Sequence, residues 1–162
     1  MIEFTKGDLL DDPAQAIVNT VNCVGVMGRG IALQFKKKFP ENFKAYAAAC
    51  EQRQIRTGSM FVVRNPDMFG PEYIINFPTK RHWRAKSNPQ DVEDGLADLV
   101  RVLKENDIQS VAIPPLGCGL GGLSWPEVKQ MIATKLSELP DVSIRVYEPS
   151  NVAKQKTVVE QS

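Results

Sequence analysis

The stretch Val111 to Trp125, reading VAIPPLGCGLGGLSW, constrains this chain more than any other. Val111, Ala112 and Ile113 form an apolar run of strand character, and Pro114 and Pro115 end it. Glycines follow at 117, 119, 121 and 122, and Ser124 then stands at an N-cap position with Pro126 in the first helical turn. The predicted unit is strand, glycine loop, helix. Such a loop turns bare backbone N–H groups toward the positive end of a helix dipole, which is the chemistry of a phosphate site. Glycines of this kind can equally serve only to turn the chain.

Two phosphate-binding motifs fail here. Gly117, Gly119 and Gly122 satisfy G-x-G-x-x-G, but the dinucleotide fingerprint opens a long doubly wound unit, and only one helix and one strand remain downstream. Gly25 and Gly30 have the Walker A glycine spacing, yet Ile31 stands where that loop needs Lys.

A chain of 162 residues with 43% hydrophobic content fills one domain and leaves too little for two. Twenty basic residues against nineteen acidic ones carry no global signal for nucleic acid, so any such contact must be a local patch. Three Cys, no signal peptide and no apolar run of membrane-spanning length predict a cytoplasmic protein with reduced thiols and no membrane contact.

In chain order, Ile2 to Thr5 reads as an edge strand, Gly7 to Pro13 as a turn, and Ala16 to Asn19 as a buried strand. A second glycine loop, Thr20 to Gly30, leads into a helix from Ile31 to Lys38, and Pro40 opens another helix through Cys50. Met60 to Arg64 and Tyr73 to Phe77 read as strands, with Phe61, Val63, Ile74 and Ile75 as buried members. A basic loop from Pro78 to Ser87 precedes a long helix from Pro89 to about Asn106. The last helix reads as Val128 to Leu139 and the last strand as Val142 to Glu148. Residues 149–162 lack apolar periodicity and read as a tail or linker after a domain at 1–148. Alternating strands and helices predict an α/β fold in three layers, with a mixed, mostly parallel central sheet. Ligands bind such sheets at the carboxyl ends of the strands, where both glycine loops, Lys80 and Tyr147 converge.

Within that edge, Asn22 offers an amide for a sugar hydroxyl or a water, or else an Asx turn. Asp8 is an adenine acceptor or a loop cap, and Tyr147 a purine platform or edge packing. Lys80 ends a strand beside Arg81, where cationic neighbours and burial would depress an amine and free it as a nucleophile or base, or else it is a solvated surface lysine, the reading that position alone favours. Arg81, His82, Trp83, Arg84 and Lys86 interleave charge with an aromatic ring, the composition of a single-stranded nucleic acid contact or, equally, of a solvated loop with a buried Trp. His82, Cys23 and Cys118 show no metal-ligand spacing, and no metal or other cofactor is expected.

Four ordered motifs carry a family resemblance: Gly7-Asp8-Leu9-Leu10, Ala16 through Asn22, Gly28-Arg29-Gly30-Ile31-Ala32, and Pro115 through Leu123. Together they resemble the macrodomain, an ADP-ribose-binding α/β/α fold, from about residue 1 to residue 148. Residues 35–39 and Thr79-Lys80 are similar to its lysine-using ADP-ribosyl glycohydrolase branch, in particular to the antitoxins that remove ADP-ribose from thymine in single-stranded DNA. The resemblance implies that Asp8 and Leu9 bind adenine with Tyr147 stacked nearby. It implies that Gly117, Cys118, Gly119, Leu120, Gly121 and Gly122 hold the diphosphate, and that Asn22, Gly28, Arg29, Gly30 and Ile31 line the distal ribose. Thr20 and Pro115 complete that ADP-ribose set. Lys80 is implied as the catalytic residue with Asn22 placing sugar or water, and Arg81, His82, Trp83 and Arg84 as DNA contacts. The implied partners are ADP-ribose or ADP-ribosylated DNA and a cognate toxin met outside this chain, for a protein expected to be monomeric. At Gly121 the sequence departs from the related human lysine-dependent branch, which has an Asp there assigned to releasing a lysyl–sugar adduct. An ADP-ribose reader without turnover, and a hydrolase of protein-linked esters or O-acetyl-ADP-ribose, remain alternatives.

Overall fold

Strand β2 (Ala16–Val21) explains the layering. Its side chains alternate across the sheet, sending Ala16 and Val18 to one core and Ile17 to the other, and five of its six residues are buried. A strand covered on both faces needs helices on both faces. In the computed structural model, which describes residues 1–149, six strands run in the order β1-β6-β5-β2-β4-β3. They are β1 (Ile2–Thr5), β2, β3 (Phe61–Arg64), β4 (Tyr73–Pro78), β5 (Ser110–Ile113) and β6 (Ser143–Tyr147). Every neighbouring pair is parallel except β3 with β4. The chain thus has the three-layer, mostly parallel α/β fold that its alternation of elements predicts.

Helices α3 (Pro89–Glu105) and α4 (Trp125–Leu136) cover one face. Val92, Leu96, Leu99, Leu103, Val128, Ile132 and Leu136 pack there on Val18, Ile75, Phe77, Val111, Ile113 and Val146. Each such fully buried side chain contributes roughly 1.5–3 kcal/mol. Gly95 of α3 is a contact glycine, since a Cβ there would lie 2.4 Å from the Phe77 ring. On the other face, α1 (Gly30–Lys38) and α2 (Pro40–Glu51) bury Phe35, Tyr46 and Ala49.

That second core contains a cluster of buried amides. Asn42 of α2 exchanges two hydrogen bonds with Asn76 of β4, at 3.1 and 2.9 Å, and Asn19 of β2 donates to Asn76 at 3.4 Å. A buried amide without a partner is costly, so the reciprocal pairing fixes where α2 sits on the sheet. One helical turn beyond Asn42 stands Tyr46, whose hydroxyl reaches the loop after β2.

Several expected boundaries move. The strand expected to stop at Asn19 continues to Val21, because β4 pairs with it as far as Pro78. Phe61 and Val63 are only half-buried, since β3 is the sheet's outer strand. The last helix spans Trp125–Leu136 rather than 128–139. Pro126 is accommodated in its first turn, and Leu139 stays buried from a turn closed by its N–H on the Leu136 carbonyl at 3.0 Å. Ser124 occupies the N-cap position but makes no side-chain capping bond. The expected tail at 149–162 lies outside the described residues save Pro149. Among the described residues no helix is long and apolar enough to cross a membrane.

Candidate ADP-ribose cleft

Three adjacent strands, β5, β2 and β4, release their chains at the same edge of the sheet, and the three loops that follow enclose a cleft of about 480 Å³. The loop after β2 brings Asn22, Val26, Gly28 and Arg29, and the start of α1 adds Gly30, Ile31 and Ala32. The loop after β5 brings Pro115 and Gly117 through Gly121, and the segment after β4 brings Thr79, Lys80 and Trp83. Topology alone therefore assembles residues up to about a hundred positions apart.

The Asn22 carboxamide is built into its own loop. Its Oδ1 accepts the N–H groups of Val24 and Val26 at 3.1 and 3.3 Å and lies 2.8 Å from the Tyr46 hydroxyl, while Nδ2 donates to the Val26 carbonyl at 2.8 Å. The Asx-turn role is thus observed, and one Nδ2 hydrogen remains for another partner. The Tyr46 hydroxyl also lies 2.8 Å from the Asn22 carbonyl, and burial pushes its pKa up, so it stays a neutral donor at the back of the loop.

Both glycine loops present backbone toward the cleft. Helix α1 has no side chain capping its N-terminus, where Gly30, Ile31 and Ala32 line the wall, so its first N–H groups and positive dipole end face the space. On the opposite wall, Gly117 has φ +71° and a Cβ there would meet Leu123 at 2.6 Å, so only glycine permits this turn. Gly121 is constrained differently: a Cβ would lie 2.4 Å from the Ser87 Oγ and 3.1 Å from its Cβ, because the Ser87 N–H donates to the Gly121 carbonyl at 2.9 Å. In these loops the N–H groups of Cys118 and Gly122 are already given to the carbonyls of Pro115 and Gly119, and those of Val24 and Val26 to Asn22, so an anion could use only the backbone donors that remain.

Lys80 stands at the mouth, its Nζ donating to the Trp83 carbonyl at 2.9 Å. Burial and, second, the charge of Lys86 hold its pKa below the usual lysine value. Lys86, outside the lining, packs on the glycine loop that follows β5, with Nζ 3.7 Å from where a Gly122 Cβ would sit. Among the described residues no carboxylate lines the cleft, and burial pushes the Cys118 thiol up to about 11, far from a reactive thiolate. The lining ionisable groups that remain are cations, Lys80 and Arg29, which suits a dianionic ligand.

Some expected residues stand outside this lining. Asp8, Leu9 and Tyr147 gather beside β1 and β6: the Asp8 Oδ1 accepts the Leu10 N–H at 3.0 Å, Leu9 is buried, and the Tyr147 hydroxyl donates to Asp12 at 2.7 Å. Asp12 also receives two bonds from Arg145, at 2.7 and 2.9 Å, which fixes the ring of Tyr147. Gly122 borders the loop without lining the cleft. Arg81 is tied to Asp91 at 2.8 Å, and His82 and Arg84 flank Trp83, which is 40% exposed rather than buried. Sequence reasoning missed Val21, Val26, Ala32, Thr79 and Pro114 in the lining, and Tyr46 behind it. Thr79 was one position from Lys80, whereas nothing in the pattern of α2 distinguished Tyr46 from a core residue.

This geometry has known counterparts. A family model described as Macro domain matches residues 18–132. The DNA ADP-ribosyl glycohydrolase of Mycobacterium tuberculosis is 53% identical over 150 residues, which cover 93% of this chain and 43% of that protein. The solved structure of the macrodomain of Mycobacterium tuberculosis DarG, also 53% identical, superposes with a TM-score of 0.91 and covers 93% of this chain and 99% of that one. Thermosipho africanus DarTG, solved in complex with ADP-ribose, is 31% identical with a TM-score of 0.85, over 93% of this chain and 42% of that one. The chain spans less than half the length of this Mycobacterium relative. A match over most of the sequence, and a superposition that covers nearly all of a macrodomain, lead to one assignment: the chain belongs to the macrodomain family.

Proposed function

We propose that this chain is the catalytic macrodomain of a DNA ADP-ribosyl glycohydrolase, which removes ADP-ribose from thymine in single-stranded DNA as an antitoxin. The observation that carries this reading is a lysine amine in the lining of a cleft to which, among the described residues, no carboxylate contributes. The usual paired-carboxylate route to glycosidic cleavage has no residues to perform it there. The names of the Mycobacterium relative and of the Thermosipho complex support the substrate class.

The diphosphate rests on the N–H groups of the two glycine loops, with the distal ribose against Gly28 to Ile31 and the free Asn22 N–H on a sugar hydroxyl. Adenine lies toward Asp8, Leu9 and Tyr147. Water then forms a bond to the anomeric carbon while the bond to thymine breaks and its electron pair leaves with the base. Protonated Lys80 gives its proton to the departing base, and the attacking water's proton restores the amine. No carboxylate stands at Gly121 to clear a lysyl adduct, which favours this acid role over covalent attack. Arg81, His82, Trp83 and Arg84 meet the DNA strand beside the modified base, phosphate by charge and base by stacking. DarT, the transferase that installs the modification, is the proposed partner through residues outside this chain, and the domain works as a cytoplasmic monomer.

Incubation with an ADP-ribosylated single-stranded oligonucleotide is expected to release free ADP-ribose, at a kcat/KM well above that for ADP-ribosyl-glutamate esters or O-acetyl-ADP-ribose. No release identifies a reader, and preference for the esters identifies a protein-directed hydrolase. The role of Lys86 has its own test. Removing its charge in Lys86→Met returns the Lys80 pKa toward the ordinary lysine value, so a proton-donating Lys80 stays charged to higher pH. The alkaline limb of the kcat profile is expected to move up in pH, with activity gained on that limb. Activity lost there instead indicates that the neutral amine is the working form.

A further inference from the structure

Lys80 is held by one backbone carbonyl, and the orientation of that carbonyl is set by a side chain two bonds away. The loop after β4 is pinned at both ends. Arg81 pairs with Asp91 and its carbonyl accepts the Cys23 N–H at 3.3 Å, while the Ser87 N–H donates to Gly121 at 2.9 Å. Between these anchors the chain makes a turn around His82. The His82 carbonyl accepts the Ala85 N–H at 2.9 Å, and its ring Nδ1 accepts the Arg84 N–H at 3.1 Å. The peptide that joins Trp83 to Arg84 supplies both this N–H and the carbonyl that receives the Lys80 Nζ. A peptide unit is planar, so a bond that fixes its N–H also fixes its C=O.

We infer that His82 is a positioning residue for the reaction: through Nδ1 it locks the Trp83–Arg84 peptide plane and thereby aims the carbonyl that holds the Lys80 ammonium over the cleft. This rests on the glycohydrolase reading with Lys80 as proton donor. It assigns the ring a role besides any contact with DNA, and it requires the acceptor lone pair on Nδ1 with the ring proton on Nε2. The stacking of the ring on Trp83, with centroids 5.4 Å apart and planes at 29°, is a separate interaction. The two contributions can be separated by substitution.

His82→Phe keeps an aromatic ring beside Trp83 and removes the acceptor, whereas His82→Asn removes the ring and keeps an acceptor able to close an Asx turn on the N–H two residues ahead. With ADP-ribosylated oligonucleotide as substrate, His82→Phe is expected to lose roughly 10- to 100-fold in kcat through misplacement of the amine, with its affinity for free ADP-ribose unchanged. His82→Asn is expected to recover most of that kcat, any loss appearing in KM. The inference is overturned if His82→Phe turns over like the parent while Lys80→Ala is inactive, or if His82→Asn is as slow as His82→Phe. A parent that releases no ADP-ribose defeats the glycohydrolase reading and this one together, whereas an active parent matched by His82→Phe defeats the positioning role alone.

Discussion

Replacement of Lys80 by Ala is expected to slow release of ADP-ribose from modified oligonucleotide by roughly 10²- to 10⁴-fold, the usual worth of a positioned proton donor. Affinity for free ADP-ribose, measured by calorimetry, is expected to stay within about threefold of the parent, a difference of well under 1 kcal/mol. The asymmetry follows from the geometry. The donors proposed for the diphosphate belong to the backbone of the two glycine loops and to the start of α1, and none of them depends on the lysine. Lys80 stands at the mouth, bonded to Trp83, where a leaving group rather than the bound nucleotide would meet it. Lys80→Arg keeps the charge but cannot surrender a proton at workable pH, so it is expected to remain nearly as slow as Lys80→Ala. Wild-type turnover by either variant transfers the chemistry to another group, and parallel loss of ADP-ribose binding reduces the amine to a binding role.

The sequence made the scaffold readable because buried parallel strands and glycine loops leave local marks. Ala16-Ile17-Val18 and Val111-Ala112-Ile113 are continuous apolar runs, and each is followed by a loop that must turn sharply before a helix. Lys80, two residues past an apolar strand, was singled out by the family resemblance rather than by that position, which suits a solvated surface lysine as well. What stayed hidden was contact between distant segments. The Tyr46 hydroxyl meets Asn22 from 24 residues away, and Asn42 meets Asn76 from 34. Both pairings depend on how α2 lies across the sheet, which no periodicity encodes. Asn22 shows the same limit at short range: the residue type allowed a ligand contact or an Asx turn, and the folded loop forms the turn with one N–H left over. Helix ends shifted where a rule gave a position without its bond, as at Ser124, or where a buried apolar residue continued the stripe outside the helix, as at Leu139.

Gly121 turns one of these hidden contacts into a prediction. An Asp at this position, as in the related lysine-dependent branch, is expected to destabilise this protein by about 3 kcal/mol or more, through overpacking added to a poorly solvated charge. The cause is Ser87, held against the loop by its N–H on the Gly121 carbonyl, with its Oγ 2.4 Å and its Cβ 3.1 Å from the new Cβ. Rotation of the Ser87 side chain relieves the first contact and leaves the second. The Gly121 backbone has no positive φ, so the obstacle is space and not conformation. Ser87→Gly removes both atoms, and the double variant Gly121→Asp with Ser87→Gly is therefore expected to regain most of the stability lost, as read from urea midpoints at constant m. If Gly121→Asp alone unfolds at the parent's midpoint, the loop is more yielding than its contacts indicate. If the double variant stays as unstable as the single one, the charge rather than Ser87 is the obstacle. The double variant also places a carboxylate on the wall of the cleft. Faster turnover there than in Ser87→Gly alone would mean that a lysyl adduct forms and waits for release; unchanged turnover supports the proposed acid role of Lys80, in which no carboxylate is needed at this position.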